Sequence, residues 1–439
     1  MTGRKGSSST GQRTSTALFT DHYELTMLQA ALRDGAADRR CVFELFARRL
    51  PDGRRYGVVA GTGRLLEALE DFRFDSVVLA HLAATGVIDD ATCEWLRAYR
   101  FQGDIEGYRE GELYFAGSPV LTVETSFADG VVLETLALSI FNHDSAVASA
   151  AARMVSAAGD RRLIEMGSRR THEEAAVAAA RAAYLAGFAA TSNLAAGQRF
   201  GVPTTGTAAH SYTLLHDSEA DAFRGQIDAL GLDTTLLVDT YDIAQGIRTA
   251  IEVAGPELGA VRIDSGDLAE LARQSRDLLD SLGARRTRIV LSGDLDEFAV
   301  AALAGAPVDA YGVGTSVVTG SGAPTAGFIY KLVEVEGRPV VKRSEDKSTR
   351  GGRKTAVRRH RATGTATGEV VRSQGVPVAE PGDRALQVPL VRGGARVAEL
   401  PTLVEAREHL HATMGTLPWE GLKLSRGEAA IPTIHQEAQ

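Results

Sequence analysis

The chain has 439 residues, 44% hydrophobic and 24% charged, an ordinary globular balance with enough length for two or three domains and a large core. Its formal net charge of −8 argues against a dedicated nucleic-acid or anionic-membrane protein and makes a small molecule the expected partner. Two cysteines, Cys41 and Cys93, are too few and too far apart for a disulfide framework or a zinc knuckle, so no structural metal is expected and the compartment should be reducing.

Residues 1–16 are rich in Ser, Thr and Gly and lack the apolar run of a secretory signal, so they read as a disordered tail on a cytoplasmic protein. Residues 17–135 mix a helix (ELTMLQAALRDG) with strand-like runs (CVFELFARRL, DIEGY, GELYFAG, PVLTVET), which suggests an N-terminal α/β domain. Over 136–340, and most clearly from 160 to 330, short apolar runs ending in polar or glycine residues alternate with helical stretches. That is βα repetition, and it predicts a β/α barrel. Strands are expected at 163–167, 203–208, 234–239, 260–264, 288–292 and 310–314. The alanine-rich stretch at 175–190 contains Arg181 and reads as a packed helix, not a membrane span. Residues 341–439 follow a hairpin-like pair around Glu336-Gly337; they comprise a basic loop and a segment with strands and a helix (VEAREHLHATM) that folds back onto the first domain. The fold class is therefore α/β: an irregular barrel, with an additional α/β domain built from both ends of the chain.

In parallel α/β architectures ligands gather at the carboxyl ends of the strands, and here those ends carry Arg169, His210, Asp239, Asp264, Asp294 and Gly314. A lone histidine is more often a core or turn residue than a catalyst. His210 gains weight from its place after a strand candidate and from the small neighbours Thr207, Ala208, Ala209 and Ser211, which leave its ring open to a phosphate or an acyl group. Arg169 suits bidentate capture of a carboxylate or phosphate; the bland reading for it and Arg170 is an ion pair with Glu173 or Glu174. In VRIDSGDL, Arg262 and Asp264 can meet ribose hydroxyls or a Mg²⁺-bound pyrophosphate, while Asp267 can be a helix cap. Gly293, Asp294, Gly312, Gly314 and Thr315 form glycine-bearing turns able to cradle phosphate. Asp239 and Asp242 read as support for the barrel rim. The segment 342–361 carries nine Lys or Arg against two acids but almost no aromatics, so it favours small-molecule phosphates over nucleic acid, with Lys342, Lys347, Arg350 and Lys354 as candidates.

Taken in order, TDHYELTM, EMGSRRTHE, ATSNLAAG, GTAAHSY, VDTYD, VRIDSGDL, SGDLDE and YGVGTS, then YKLVE with VVKRSEDKSTRGGRK, resemble the nicotinate phosphoribosyltransferases among type II phosphoribosyltransferases. The resemblance spans nearly the whole chain. It implies ATP-coupled condensation of nicotinate with 5-phosphoribosyl 1-pyrophosphate, Mg²⁺ carried by the pyrophosphate with Asp264 as the one carboxylate near it, and a homodimer sharing its active sites. By the same analogy Tyr23 of the neighbouring subunit stacks on the pyridine ring and Arg169 meets the nicotinate carboxylate or the product phosphate. Ser192 and Asn193 lie near the ring substituent, Arg262 and Asp264 bind ribose and the pyrophosphate side, and Gly293, Asp294, Gly312, Gly314 and Thr315 hold phosphate. His210 falls on the histidine that the family phosphorylates with ATP. Met166 stands where relatives often place an aromatic residue, and it can pack against a ring through sulfur. The competing readings are a nicotinamide enzyme, a quinolinate enzyme and a non-catalytic phosphosugar-binding protein; Ser192-Asn193, in place of an acid, favours nicotinate.

Overall fold

Five of the six expected barrel strands form, and all five lie in one parallel sheet of the computed structural model, which describes residues 14–342, 350–397 and 401–436. The sheet runs Ala190–Thr191, Arg162–Glu165, Ala310–Val313, Arg288–Gly293, Ala260–Ile263, Thr235–Leu237. The last strand of this sheet in chain order thus pairs with its first, and the ring is open on one side only, between Ala190–Thr191 and Thr235–Leu237. Alternation is clear in Ala260–Ile263: Val261 and Ile263 are fully buried under the outer helices, whereas Arg262 and Asp264 project from the other face towards the barrel mouth.

The candidate strand 203–208 does not form. Its place at the open side is held by a single bridge, Thr191 to Thr204, with Thr191 N donating to Pro203 O at 3.0 Å and Thr205 N to Thr191 O at 2.9 Å. Pro203 has no amide to offer a ladder and Gly206 has no side chain to pack, so the run cannot propagate. The edge strand that carries this bridge is Ala190–Thr191, two residues with no strand signature of their own.

The N-terminal domain is built on an antiparallel sheet ordered Arg338–Pro339, Phe328–Val335, Arg40–Ala47, Leu121–Ser126, Asp104–Tyr108, Gln387–Arg392, Ala395–Arg396. Both ends of the chain contribute to it. The strand Phe328–Val335 lies beside Arg40–Ala47, so the barrel does not extend to residue 340. The hairpin after it turns through Glu336 and Gly337 at φ of 50° and 72°. The helix Glu134–Ala158, roughly 37 Å long at 1.5 Å per residue, joins the two cores: Leu136, Ile140 and Phe141 pack in the first and Val147, Ala151 and Met154 in the second. At its far half Arg153 shares the buried Glu297 carboxylate with Arg54 of the N-terminal domain, each at 3.0 Å.

Two other expectations are corrected. Ser15 and Thr16 do not belong to a free tail, because Thr16 Oγ1 donates to Ala68 O at 2.7 Å and Ser15 Oγ to Arg73 O at 2.5 Å; residues 1–13 lie outside the described residues. The basic segment is only partly a loop. Lys354–His360 is a strand whose alternate residues Lys354, Ala356 and Arg358 are buried. Further on, Leu403–Met414 forms the expected helix, opened by a Thr402–Glu405 capping box. Arg181 sits buried within the helix Glu173–Ala186 in a two-pronged pair with Glu110 at 2.6 and 2.8 Å. Among the described residues no helix is long and apolar enough to cross a membrane.

Candidate active site

Arg262 organises the barrel mouth. Its Nε donates to Ser292 Oγ at 2.8 Å, Nη1 to Thr207 Oγ1 and to Ala208 O at 3.3 Å, and Nη2 lies 3.2 Å from Asp264 Oδ1. Two strand ends and the irregular 203–208 segment are thereby tied to one planar guanidinium, whose fixed fork of donors suits that task. Ser292 also donates to Asp264 Oδ1 at 2.5 Å. Partial burial works against charge on Asp264, but the Ser292 hydroxyl and the Arg262 guanidinium, with His210 nearby, hold its carboxyl below the usual range. Asp264 is thus an ionised, half-exposed acceptor facing the mouth.

His210 opens the short helix His210–Leu214, with its side chain 43% exposed. Thr240 Oγ1 holds Nδ1 at 3.1 Å, and Nε2 lies 3.9 Å from Asp239 Oδ1. Asp239 does support the rim, since its Oδ2 accepts from Asp264 N at 2.8 Å and Ser265 Oγ at 3.1 Å. Its buried Oδ1 has no hydrogen-bond partner among the described residues and is the atom that faces the histidine. Asp242 and Asp267 are helix caps, accepting from Gln245 N at 2.8 Å and Glu270 N at 3.3 Å.

Around this centre the structure brings most of the expected residues to one rim. Met166 packs over Gly312, where an added Cβ would come 2.7 Å from Met166 Sδ. Gly293 takes a φ of 134°, and Gly314 opens the short helix Thr315–Val318. Asp294 and Thr315 are exposed. Arg169 and Arg170 are exposed too, and neither forms the ion pair of the bland reading: Glu174 pairs with Arg199 at 2.8 Å and Glu173 with His172 at 3.7 Å. Asn193 caps the helix Leu194–Phe200 through Oδ1 and donates from Nδ2 to Ser168 Oγ at 3.0 Å, which joins the Arg169 turn to exposed Ser192.

Other candidates lie elsewhere. Tyr23 is 44% exposed on the helix His22–Asp34, beside Glu24 and Glu134 and not at the mouth of its own barrel; burial, then Glu134 and Glu24, push its hydroxyl up to about 12. Lys354 is withdrawn from phosphate binding, because it is buried and its Nζ bonds Glu44 Oε2 at 2.7 Å. Lys342 and Arg350 are exposed, and Lys347 lies outside the described residues. Motif reading missed Ser292, Thr207 and Thr240, each a hydroxyl adjacent to or within a quoted motif, and it missed Glu165 and Thr191. The last two are buried together, with Thr191 Oγ1 donating to Glu165 Oε2 and Gly167 N to Oε1 at 2.5 Å. Burial raises the Glu165 carboxyl against those two bonds.

The mouth therefore joins a fork of cationic donors, an ionised carboxylate, an accessible imidazole and glycine turns, a set suited to an anionic phosphosugar. Residues 18–142 match the nicotinate phosphoribosyltransferase N-terminal domain and residues 147–321 the quinolinate phosphoribosyl transferase C-terminal domain, the break falling inside the helix Glu134–Ala158. Nicotinate phosphoribosyltransferase pncB1 of Mycobacterium tuberculosis (strain H37Rv) is 65% identical over 95% of this chain and 94% of its own. The chain belongs to the nicotinate phosphoribosyltransferase family. Its Bacillus subtilis relative of that name is 38% identical over 78% of this chain and 73% of its own. A crystal structure of human nicotinic acid phosphoribosyltransferase superposes with a TM-score of 0.80 at 27% identity, covering 96% of this chain and 97% of that one. The nicotinate-nucleotide pyrophosphorylase of Pyrococcus furiosus shares the fold, at TM-score 0.76 and 24% identity over 91% and 95% of the two chains.

Among the glycines of the mouth Gly167 is the most tightly enclosed. A Cβ there would meet Val318 Cγ1 at 2.2 Å, and Glu165 Oε1 and Gly314 O at 2.9 Å, backbone on one side and a bound carboxylate on the other. Gly167→Ala is expected to destabilise the fold by about 1–3 kcal/mol through overpacking, seen as a lower thermal midpoint than that of wild type.

Proposed function

We propose that this chain is a nicotinate phosphoribosyltransferase of NAD salvage. It joins nicotinate to 5-phosphoribosyl 1-pyrophosphate, giving nicotinate mononucleotide and pyrophosphate, with ATP hydrolysed to ADP and phosphate. The observation that carries this reading is the strand-end cluster of Arg262, Asp264, Ser292 and His210 in a chain 65% identical to an enzyme of that name. Arg169, exposed and free of Glu173 and Glu174, takes the pyridine carboxylate in this reading, with Ser192 and Asn193 across from it. Neither residue opposite is an acid, which favours nicotinate over nicotinamide.

The pyridine nitrogen attacks the anomeric carbon, the C–N bond forms, and pyrophosphate leaves with the electron pair of the broken C–O bond. Arg262 stabilises charge on the departing side, and ionised Asp264 orients the ribose and faces the developing oxocarbenium centre. Among the described residues no three metal-ligating side chains converge, while Asp264 stands charged and half-exposed. Asp264 is the residue that would hold a Mg²⁺ arriving with pyrophosphate, and such an ion would supply charge neutralisation to the leaving group. In the ATP-dependent half-reaction Thr240 holds Nδ1, and His210 Nε2 attacks the γ-phosphorus while ADP departs with the bridging oxygen's electrons. Asp239 Oδ1 faces the imidazolium that results. In a cytoplasmic homodimer, Tyr23 of the partner subunit completes the ring pocket.

The test is product formation from nicotinate, nicotinamide and quinolinate, each with phosphoribosyl pyrophosphate and Mg²⁺, with and without ATP, while ADP is followed. Nicotinate is expected to be selected, with ATP stimulation. His210→Ala is expected to release no ADP and to bring the ATP-containing rate down to the ATP-free rate. Full ATP stimulation in that variant removes the histidine from the mechanism. No product from any of the three pyridines moves the chain to the binding-protein class.

A further inference from the structure

We infer that Glu165 is a positioning residue whose carboxylate sets the spacing between the two loops that grip the pyridine carboxylate, the Gly167–Arg169 turn and the Thr191–Asn193 strand end. The inference rests on the reading above, in which nicotinate lies between Arg169 and Ser192. The two loops leave neighbouring parallel strands, in register at Ile164 with Ala190 and Glu165 with Thr191, and the ladder ends there with Ser192 N donating to Glu165 O at 2.8 Å. Beyond that point side chains take over. Glu165 Oε1 accepts from Gly167 N at 2.5 Å and Oε2 from Thr191 Oγ1, whose oxygen in turn accepts from Asn193 N at 2.9 Å. Asn193 Nδ2 reaches back to Ser168 Oγ at 3.0 Å. The result is a closed circuit, Glu165 to Gly167 to Ser168 to Asn193 to Thr191 and back to Glu165.

Three features mark this circuit as directed at the site and not at stability alone. Glu165 and Thr191 are 1% and 0% exposed, and neither Glu165 oxygen bonds a basic group among the described residues, an arrangement that costs folding free energy. Arg169 is exposed and unpaired with Glu173 or Glu174, so its aim depends on the backbone that carries it, and Glu165 holds that backbone two residues upstream. Gly167 is backed by Gly314 O and Val318, so the turn cannot retreat the other way. The same short segment therefore also fixes the pyridine-side loop against the glycine turn proposed for phosphate.

The test compares Glu165→Ala, Glu165→Gln and Thr191→Val with wild type for the KM of nicotinate, the KM of phosphoribosyl pyrophosphate, kcat and thermal midpoint. Glu165→Ala is expected to raise the nicotinate KM about tenfold, the scale of one lost buried hydrogen bond, with kcat and the other KM within about twofold. Glu165→Gln keeps an acceptor for the Gly167 amide and is expected to recover most of the loss. Thr191→Val, which keeps the volume and removes the hydroxyl, is expected to move the nicotinate KM in the same direction, and it decides the matter by itself if the alanine variant does not fold. An unchanged nicotinate KM overturns the proposal, as does a parallel change in both KM values and kcat that Glu165→Gln fails to relieve. A wild-type enzyme that makes no nicotinate mononucleotide removes the functional reading and this inference together, whereas an active wild type with indifferent variants removes only the inference.

Discussion

Arg262→Ala is expected to lower kcat/KM for mononucleotide synthesis by about 10²–10³-fold, the usual cost of removing one preorganised donor aimed at developing charge. The structural reason is that no other group reaches the same four acceptors: Ser292, Thr207, Ala208 O and Asp264 all converge on this guanidinium. Arg262→Lys should recover little of the loss, because one ammonium cannot span acceptors laid out for a planar fork. A second signature separates this from general disorder at the rim. Asp264 keeps its partial burial in the variant but loses the guanidinium that helps hold its carboxyl below the usual range. Its folded value therefore rises, and the acid limb of kcat/KM, set by ionisation of Asp264, moves to higher pH. A variant with the expected rate loss but an unmoved acid limb would separate Asp264 from the pH dependence, and a rate within tenfold of wild type would remove Arg262 from its proposed role.

The site was legible in sequence where a motif ended a real strand. VRIDSGDL and SGDLDE each combine an apolar run with polar residues at its carboxyl end, and the parallel sheet places those ends side by side. GTAAHSY led to a residue that lies at the mouth, but by a partly wrong route. His210 is at the mouth, but the segment before it is a bridged coil, since Pro203 and Gly206 deny it a ladder. What stayed hidden were contacts between distant positions. Thr207 is 55 residues from Arg262 and Ser292 is 30, and nothing local in either neighbourhood announces the pair. Glu165 was passed over for a different reason: an acid two residues before a glycine resembles many surface turns, and only the structure shows both its oxygens engaged in a buried circuit. The basic run misled because it was counted as charge and not as period. Lys354 and Arg358 share one face of a strand, and their carboxylates, Glu44 and Glu369, lie 310 and 11 residues away.

Glu112→Ala is expected to destabilise the protein by about 3–5 kcal/mol, the scale of two lost hydrogen bonds to a charged group. Glu112 is 1% exposed and gathers partners from three parts of the C-terminal segment: Arg384 at 2.7 and 3.1 Å, His409 at 2.9 Å and buried Arg358 at 3.6 Å. Arg358 retains Glu369 at 2.8 Å in the variant, but Arg384 loses the carboxylate that anchors it to the first domain. The expected readouts are a lower thermal midpoint and earlier proteolytic release of the segment after residue 373. Burial opposes charge on Glu112, yet the His409 hydrogen bond and the two arginines hold its carboxyl at about 2. A carboxyl depressed in the folded state adds stability that is fully present above the unfolded value, near 4.3 for a glutamate, and is lost as pH falls through the folded one. The stability gap between wild type and Glu112→Gln should therefore be widest at neutral pH and close progressively between about pH 4 and pH 2. A gap of constant size across that window would mean that shape, and not charge, is what Glu112 contributes to the join between the two ends of the chain.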